Sequence, residues 1–190
     1  AGAHLEVSEE AHGDIRPFNI LINLNKEYKI VDNKLFQGGR VGVKPTNKKM
    51  IELLNREKYL SPALFYALET TADQDHLNHN KYKSDVFSLG MTILEVARLE
   101  NLRNAYNWQL HEIDFQSIQK ALNELLDKKL YSPGLINLIQ SLLESKEDLR
   151  PNFLDLDSIL SRFRASIRQR AFNGKVIGIR AMEHITLFLG

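Results

Sequence analysis

The stretch AHGDIRPFNILINLNKEYKIVDNKLF, residues 11–36, decides how the rest of this chain is interpreted. It contains two short apolar runs, NILIN and YKIVD, on either side of the polar turn LNKE. This pattern predicts a β-hairpin in which residues 19–22 pair with residues 28–31. The loop before one strand and the end of the other then meet at one edge, so we expect Asp14 and Asp32 to face the same open cleft.

The polar residues around this hairpin indicate a particular chemistry. Asp14 and Asp32 are carboxylates and Asn19 offers a carbonyl oxygen, and Mg²⁺ takes such oxygen ligands together with substrate phosphates. Arg16 adds a positive group that can neutralise a migrating phosphoryl group. The spacing therefore predicts one metal–phosphate cluster.

Five segments of the chain resemble eukaryotic protein kinases. HGDIRPFNIL is similar to the family's catalytic loop, H-R-D-L-K-P-x-N-[IL]-L, and IVDNKLF stands where the family has its metal-binding Asp-Phe-Gly. YLSPALF resembles the end of the activation loop, KSDVFSLGMTILEVA the central helix, and LRPNF the segment with a late arginine. The matches follow the family's order from about His12 to Phe163.

The resemblance implies a role for each matching residue of the site. Asp14 is expected to accept the proton of the substrate hydroxyl, and Arg16 to contact the γ-phosphate of ATP. Asn19 and Asp32 are expected to hold Mg²⁺. The pair Arg16–Pro17 is more similar to the serine/threonine branch than to the tyrosine branch.

Three further matches imply structural roles. His12 is expected to hold the loop by hydrogen bonds. Asp85 is expected to cap its helix and to hydrogen-bond back to the loop backbone. Arg150 is paired in the family with a glutamate that here is Ala63. Because an unpaired buried charge is costly, we expect Arg150 to find another acceptor or to turn outward.

Several positions depart from the family's pattern. Gly13 replaces an arginine that normally pairs with a phosphorylated activation-loop residue, and Asn33 and Lys34 replace the Phe-Gly after the metal-binding aspartate. Ala63 replaces the glutamate of Ala-Pro-Glu. The departures keep a second hypothesis open, a pseudokinase that acts as a binding or scaffolding module.

Several family elements are missing from the printed sequence. It has no glycine-rich phosphate loop followed by a strand with a lysine, and GGRVGV at 38–43 lies after the catalytic loop. We therefore expect residues 1–163 to be the C-terminal lobe of a kinase-like domain without the N-terminal lobe. Residues 164–190 are expected to be a basic tail or a truncated following segment. The chain alone is expected not to bind Mg-ATP tightly.

The predicted fold class is mainly α, a helical bundle with a small β-hairpin carrying the catalytic loop. Residues 37–58 predict a long loop. Four helical patterns follow, with caps predicted from the residues at their starts. The cap candidates are Ser84 and Asp85 for the central helix, Asp114 for the next, and Ser132 with Pro133 for the third.

Composition narrows the function classes. The chain is 43% hydrophobic and 26% charged, with a net charge of +1, which gives no argument for nucleic-acid binding. We expect no membrane-spanning helix and no signal peptide. The absence of cysteine rules out disulfides and favours a cytoplasmic location. The expected partners are a protein substrate and ATP. His76 and His79 lie in a polar segment without further ligands in register, so a metal site is not expected there.

Overall fold

The computed structural model describes residues 2–25, 27–31, 59–70 and 79–172, with side chains as far as residue 67 in the third range and residue 162 in the last. Over these ranges the fold is mainly α, as predicted, with two small antiparallel hairpins. The helices are α1 Gly2–Val7, α2 Pro62–Thr70, α3 Lys81–Arg98, α4 Phe115–Asp127, α5 Pro133–Leu142 and α6 Phe153–Phe172. The strands are β1 Ile20–Ile22, β2 Tyr28–Ile30, β3 Tyr106–Asn107 and β4 Glu112–Ile113.

The predicted hairpin is confirmed. β1 and β2 are antiparallel, with Ile20 opposite Ile30. One residue further out, the Val31 N–H donates to the Asn19 carbonyl at 2.8 Å and prolongs the ladder. The loop with the sequence HGDIRP leads through the 3₁₀ turn Pro17–Asn19 into β1, so the hairpin fixes where that loop ends.

Helix α3 is the centre of the fold. All residues from Ser84 to Thr92 are buried, so this part of the helix packs against other elements on every side. Phe87 belongs to one apolar cluster, formed with α2, α4 and α5. Val86 and Leu89 belong to a second cluster, which includes Ile15 of the loop and Leu156 of α6. Helix α3 therefore joins the loop to both halves of the hydrophobic core.

Two of the predicted helix caps are confirmed. Asp114 accepts hydrogen bonds from the second and third N–H groups of α4, Gln116 and Ser117. Ser132 caps α5, and Pro133 occupies its first position. These residues satisfy N–H groups that a helix cannot pair internally.

The predicted caps of α3 are wrong. The helix begins at Lys81, and the side chain of Asn80 accepts hydrogen bonds from the N–H groups of Tyr82 and Lys83. Ser84 and Asp85 lie inside the helix. The first turn of α3 is polar and carries no apolar periodicity. The apolar pattern in the sequence therefore begins one turn after the helix does.

Some features of the structure were not predicted from the sequence, and some predictions fall on residues outside the described ranges. The hairpin of β3 and β4 was not predicted, because strands of two residues leave no periodic pattern. Helix α6 continues past the proposed boundary at residue 163 and ends at Phe172. The predicted loop at 37–58, His76 and residues 173–190 lie outside the described residues. In the part of the chain that the structure describes, no helix is both long and apolar enough to span a bilayer.

Gly90 allows α3 and α5 to approach closely. A Cβ at this position would lie 2.8 Å from Leu142 Cβ and 2.9 Å from Leu143 Cδ2. We expect Gly90→Ala to lower the free energy of unfolding by about 1–2 kcal/mol, because overpacking outweighs the gain in helix propensity. Urea denaturation measures the change. Val96→Ala, at an exposed position of the same helix, is the control. A Gly90→Ala variant as stable as this control would contradict the packing.

Candidate functional site

The loop before β1 is attached to α3 by one buried carboxylate. Asp85 Oδ2 accepts a hydrogen bond from the His12 N–H at 2.6 Å, and Asp85 Oδ1 accepts one from the Gly13 N–H at 2.8 Å. Burial raises the pKa of Asp85, and the two N–H donors oppose that rise. The expected hydrogen bonds to the loop backbone are present, and the expected capping of α3 is not.

His12 connects the loop to the second strand. Its Nδ1 accepts a hydrogen bond from the Asp14 N–H at 3.2 Å, so the ring proton is on Nε2, which donates to the Val31 carbonyl at 2.7 Å. Val31 directly precedes Asp32 in the sequence. Asp32 itself lies outside the described residues, so the predicted metal ligand remains a prediction.

Gly13 has a backbone conformation that other residues avoid. Its φ is 73°, in the left-handed region, which costs a residue with a side chain about 1–2 kcal/mol. Apart from Gly13 and its two chain neighbours, no atom of the described residues lies within 4 Å of the place that a Cβ would take. A glycine here avoids the backbone strain. It also lacks the positive charge of the arginine that the family has at this position.

Asp14 and Arg16 form an ion pair. Arg16 Nε lies 3.1 Å from Asp14 Oδ1. The two atoms do not meet the angular requirement of a regular hydrogen bond, so the contact is mainly one between charges. Asp14 is buried, and the guanidinium of Arg16 lies 5.6 Å from the centroid of the Phe18 ring.

Asn19 is held beside Asp14. Its side-chain Nδ2 donates to the Asp14 carbonyl at 2.8 Å, and its N–H donates to the Arg16 carbonyl at 2.9 Å. The amide orientation leaves the carbonyl oxygen Oδ1 as the ligand that this residue offers to a metal. An oxygen donor of this kind fits Mg²⁺. Within the described ranges no group of three or more histidine, cysteine, aspartate or glutamate side chains is placed to hold a metal ion.

Thr92 contacts the loop before β1, which the sequence did not predict. Its Oγ1 is within hydrogen-bonding distance of the carbonyl of Ile15 at 3.2 Å and of the carbonyl of Ser88 at 2.8 Å. Ile15 is buried in the cluster that α3 and α6 share. A threonine in an apolar helix gives no sequence signal of such a role. The loop is thus attached to α3 by polar contacts at two positions of the helix, Asp85 and Thr92.

The family model of protein tyrosine and serine/threonine kinases matches residues 1–160. The chain belongs to this family.

Similar proteins support the assignment. Over 145 residues the chain is 28% identical to the dual specificity mitogen-activated protein kinase kinase mek-1 of Caenorhabditis elegans, covering 75% of this chain and 36% of that protein. Over 159 residues it is 23% identical to serine/threonine-protein kinase 10-A of Xenopus laevis, covering 81% and 15%. Over 95 residues it is 30% identical to human Nik-related protein kinase, covering 50% and 5%. The chain thus spans little more than a third of one relative and much less of the others.

Arg150 of this kinase-family chain is buried. Position 63 holds Ala63, so it offers no carboxylate to Arg150. Arg150 donates from Nε and Nη2 to the Glu144 carbonyl at 2.9 and 2.7 Å, and from Nη1 to the Lys83 carbonyl at 3.0 Å. Its guanidinium lies 4.9 Å from the Phe87 ring. Burial lowers the pKa of Arg150 to about 10, so it keeps its charge at neutral pH. Of the two expected outcomes, the structure shows the first, an alternative set of acceptors.

A chain of hydroxyl groups links α2 to the start of α3. Ser61 Oγ accepts from the Leu64 N–H at 3.3 Å and lies 2.8 Å from Ser84 Oγ, which in turn lies 2.8 Å from His79 Nδ1. All the donors are satisfied when Ser61 donates to Ser84 and Ser84 donates to a neutral His79. A proton on Nδ1 would reverse this direction and leave the buried Ser61 hydroxyl without an acceptor among the described residues.

The His79 arrangement predicts a pH dependence of stability. Burial lowers the pKa of His79 below its ordinary value of 6.5, and the charges of Glu147 and Asp85 oppose this. The unfolded chain therefore binds this proton more readily, so its contribution to stability is complete above about pH 6.5 and declines as the pH falls toward the folded-state pKa.

We therefore expect the free energy of unfolding to fall less between pH 7 and pH 5 in His79→Asn than in the unmodified chain. Asparagine keeps an acceptor near the position of Nδ1 and cannot be protonated. His4→Asn, which changes an exposed histidine of α1, is the matched control. Parallel pH profiles for the unmodified chain and His79→Asn, measured by denaturation, would show that the hydroxyl chain does not depend on a neutral His79.

Proposed function

We propose that residues 1–163 are the C-terminal lobe of a protein kinase domain that transfers the γ-phosphoryl group of ATP to serine or threonine residues of proteins. The observation that carries the proposal is the buried carboxylate of Asp14. It lies in a loop whose backbone is held by hydrogen bonds to Asp85. Arg16 and Asn19 both contact Asp14. A general base needs this kind of fixed geometry before it needs any particular pKa.

In the proposed reaction each residue has one task. Asp14 accepts the proton of the substrate hydroxyl while the hydroxyl oxygen bonds to the γ-phosphorus. The bond from that phosphorus to the bridging oxygen breaks, and ADP leaves with the electron pair. Arg16 stabilises negative charge on the transferring group. Mg²⁺, when bound, would neutralise phosphate charge. Asn19 would hold it through Oδ1, together with Asp32.

The preference for serine and threonine rests on Arg16 with Pro17 and on the names of the relatives. One relative is named a dual specificity kinase and another a serine/threonine kinase. The proposed partners are a protein substrate and ATP, without nucleic acid or membrane. The proposed location is the cytoplasm.

The second candidate function is a pseudokinase that binds or scaffolds other proteins. Asn33 and Lys34 favour it, since Lys34 places a cation near Asp32 in the sequence.

We further propose that the 190-residue chain needs an ATP-binding N-terminal lobe for activity. Kinases hold the phosphates with a glycine-rich loop and a lysine, and the printed sequence contains neither motif. Charge interactions in an open, hydrated site are much weaker than in a closed, dry cleft.

A phosphotransfer assay tests the proposal on two proteins, the 190-residue chain and the same chain joined to a kinase N-terminal lobe. We expect no measurable transfer by the first and transfer by the second. Asp14→Asn in the joined protein should lower the rate by about 10²–10⁴-fold, because general base catalysis is lost. Asp157→Asn, at an exposed position of α6, is the matched control and should leave the rate unchanged.

The outcomes separate the candidate functions. Transfer by the isolated chain that Asp14→Asn abolishes would contradict the need for the second lobe. A joined protein that binds Mg-ATP and never phosphorylates would favour the pseudokinase.

A further inference from the structure

Phe18 occupies an unusual place for an aromatic residue. The residue is 83% exposed, although aromatic rings gain stability from burial. It lies in a single 3₁₀ turn, Pro17–Asn19. Pro17 has a fixed φ, and Asn19 is buried and tied by two hydrogen bonds. The backbone on both sides therefore sets the position of the ring, and packing against the core does not.

The ring faces the guanidinium of Arg16. The central carbon of that group lies 5.6 Å from the ring centroid, within the range of a cation–π interaction. On another side, Arg16 Nε lies 3.1 Å from Asp14 Oδ1. The Arg16 side chain is only 20% exposed. The guanidinium is thus held between a buried carboxylate and an exposed aromatic face.

This arrangement suits arginine better than lysine. A planar guanidinium stacks on a ring and contacts a carboxylate with its edge at the same time. An ammonium group is a point charge with a strong hydration shell, and it cannot make both contacts with this geometry. The two residues that flank Pro17 therefore form a matched pair.

We propose that Phe18 is a positioning residue, whose ring holds the Arg16 guanidinium against the Asp14 carboxylate. Its consequence for catalysis rests on the proposed phosphotransfer function. In that reaction the ring keeps the cation beside the hydroxyl that Asp14 deprotonates, where the phosphoryl group arrives. Phe18 acts through Arg16 and does not itself take part in the chemistry.

The test uses two substitutions of the 190-residue chain. Phe18→Leu keeps an apolar side chain and removes the aromatic face, and Phe18→Tyr keeps the face. NMR of the Arg16 Nε–Hε group reports the contact directly. We expect Phe18→Leu to remove the ring-current shift of Hε and to speed its exchange with water by about two- to fivefold. Phe18→Tyr should restore both, with the remaining amide spectrum unchanged in each variant.

A kinetic measurement on the joined protein tests the consequence. Phe18→Leu should lower kcat by about two- to fivefold with the KM for ATP unchanged, and Phe18→Tyr should restore kcat. An unchanged Hε signal in Phe18→Leu would overturn the inference, whatever the activity. A changed Hε signal with an unchanged kcat would overturn the positioning role.

A different experimental result would contradict the proposed function. If the joined protein never transfers phosphate, but Hε responds to Phe18→Leu and recovers in Phe18→Tyr, the phosphotransfer proposal is wrong. The contact that holds Arg16 then stands.

Discussion

The site depends on the hydrogen bonds that the buried carboxylate of Asp85 accepts from the loop. Asp85 lies in the second turn of α3 and accepts hydrogen bonds from two consecutive N–H groups of a loop more than 70 positions earlier in the sequence. Hydrogen bonds to a charged group contribute about 1.5–3 kcal/mol each. From this anchor the loop continues through Ile15 into the core and presents Asp14 at its edge. His12 then ties the loop to β2.

Main-chain groups take over where side chains of the family pattern are missing. Gly13 adopts a left-handed φ at no cost and gives its N–H to Asp85. Arg150 has lost the glutamate that Ala63 replaces, and the carbonyls of Glu144 and Lys83 accept its hydrogen bonds. A buried charge needs partners, and carbonyl dipoles supply them here without a second charge. In the part of the chain that the structure describes, main-chain carbonyls therefore hold this buried charge where the motif of the family is degenerate.

The sequence predicted the parts of the fold that depend on local patterns. The hairpin followed from two apolar runs, and the caps Asp114 and Ser132 from residue types at helix starts. The cap Asn80 was missed because it precedes a polar first turn. Phe18 and Thr92 were missed because their roles depend on neighbours in space. Asp14, Arg16 and Asn19 were predicted by resemblance and lie together. Asp32 lies outside the described residues, so its part in the site remains a prediction.

Amide hydrogen exchange at Gly13 tests most directly whether Asp85 holds the loop before β1. Asp85→Asn replaces one acceptor oxygen by an amide group that repels a neighbouring N–H. The account predicts that exchange of the Gly13 amide becomes about 10- to 100-fold faster in this variant, which corresponds to the loss of one charge-assisted hydrogen bond. Asp114→Asn, which changes an exposed aspartate that also accepts from two N–H groups, should leave it unchanged. Equal exchange rates at Gly13 in the unmodified chain and Asp85→Asn would contradict the account.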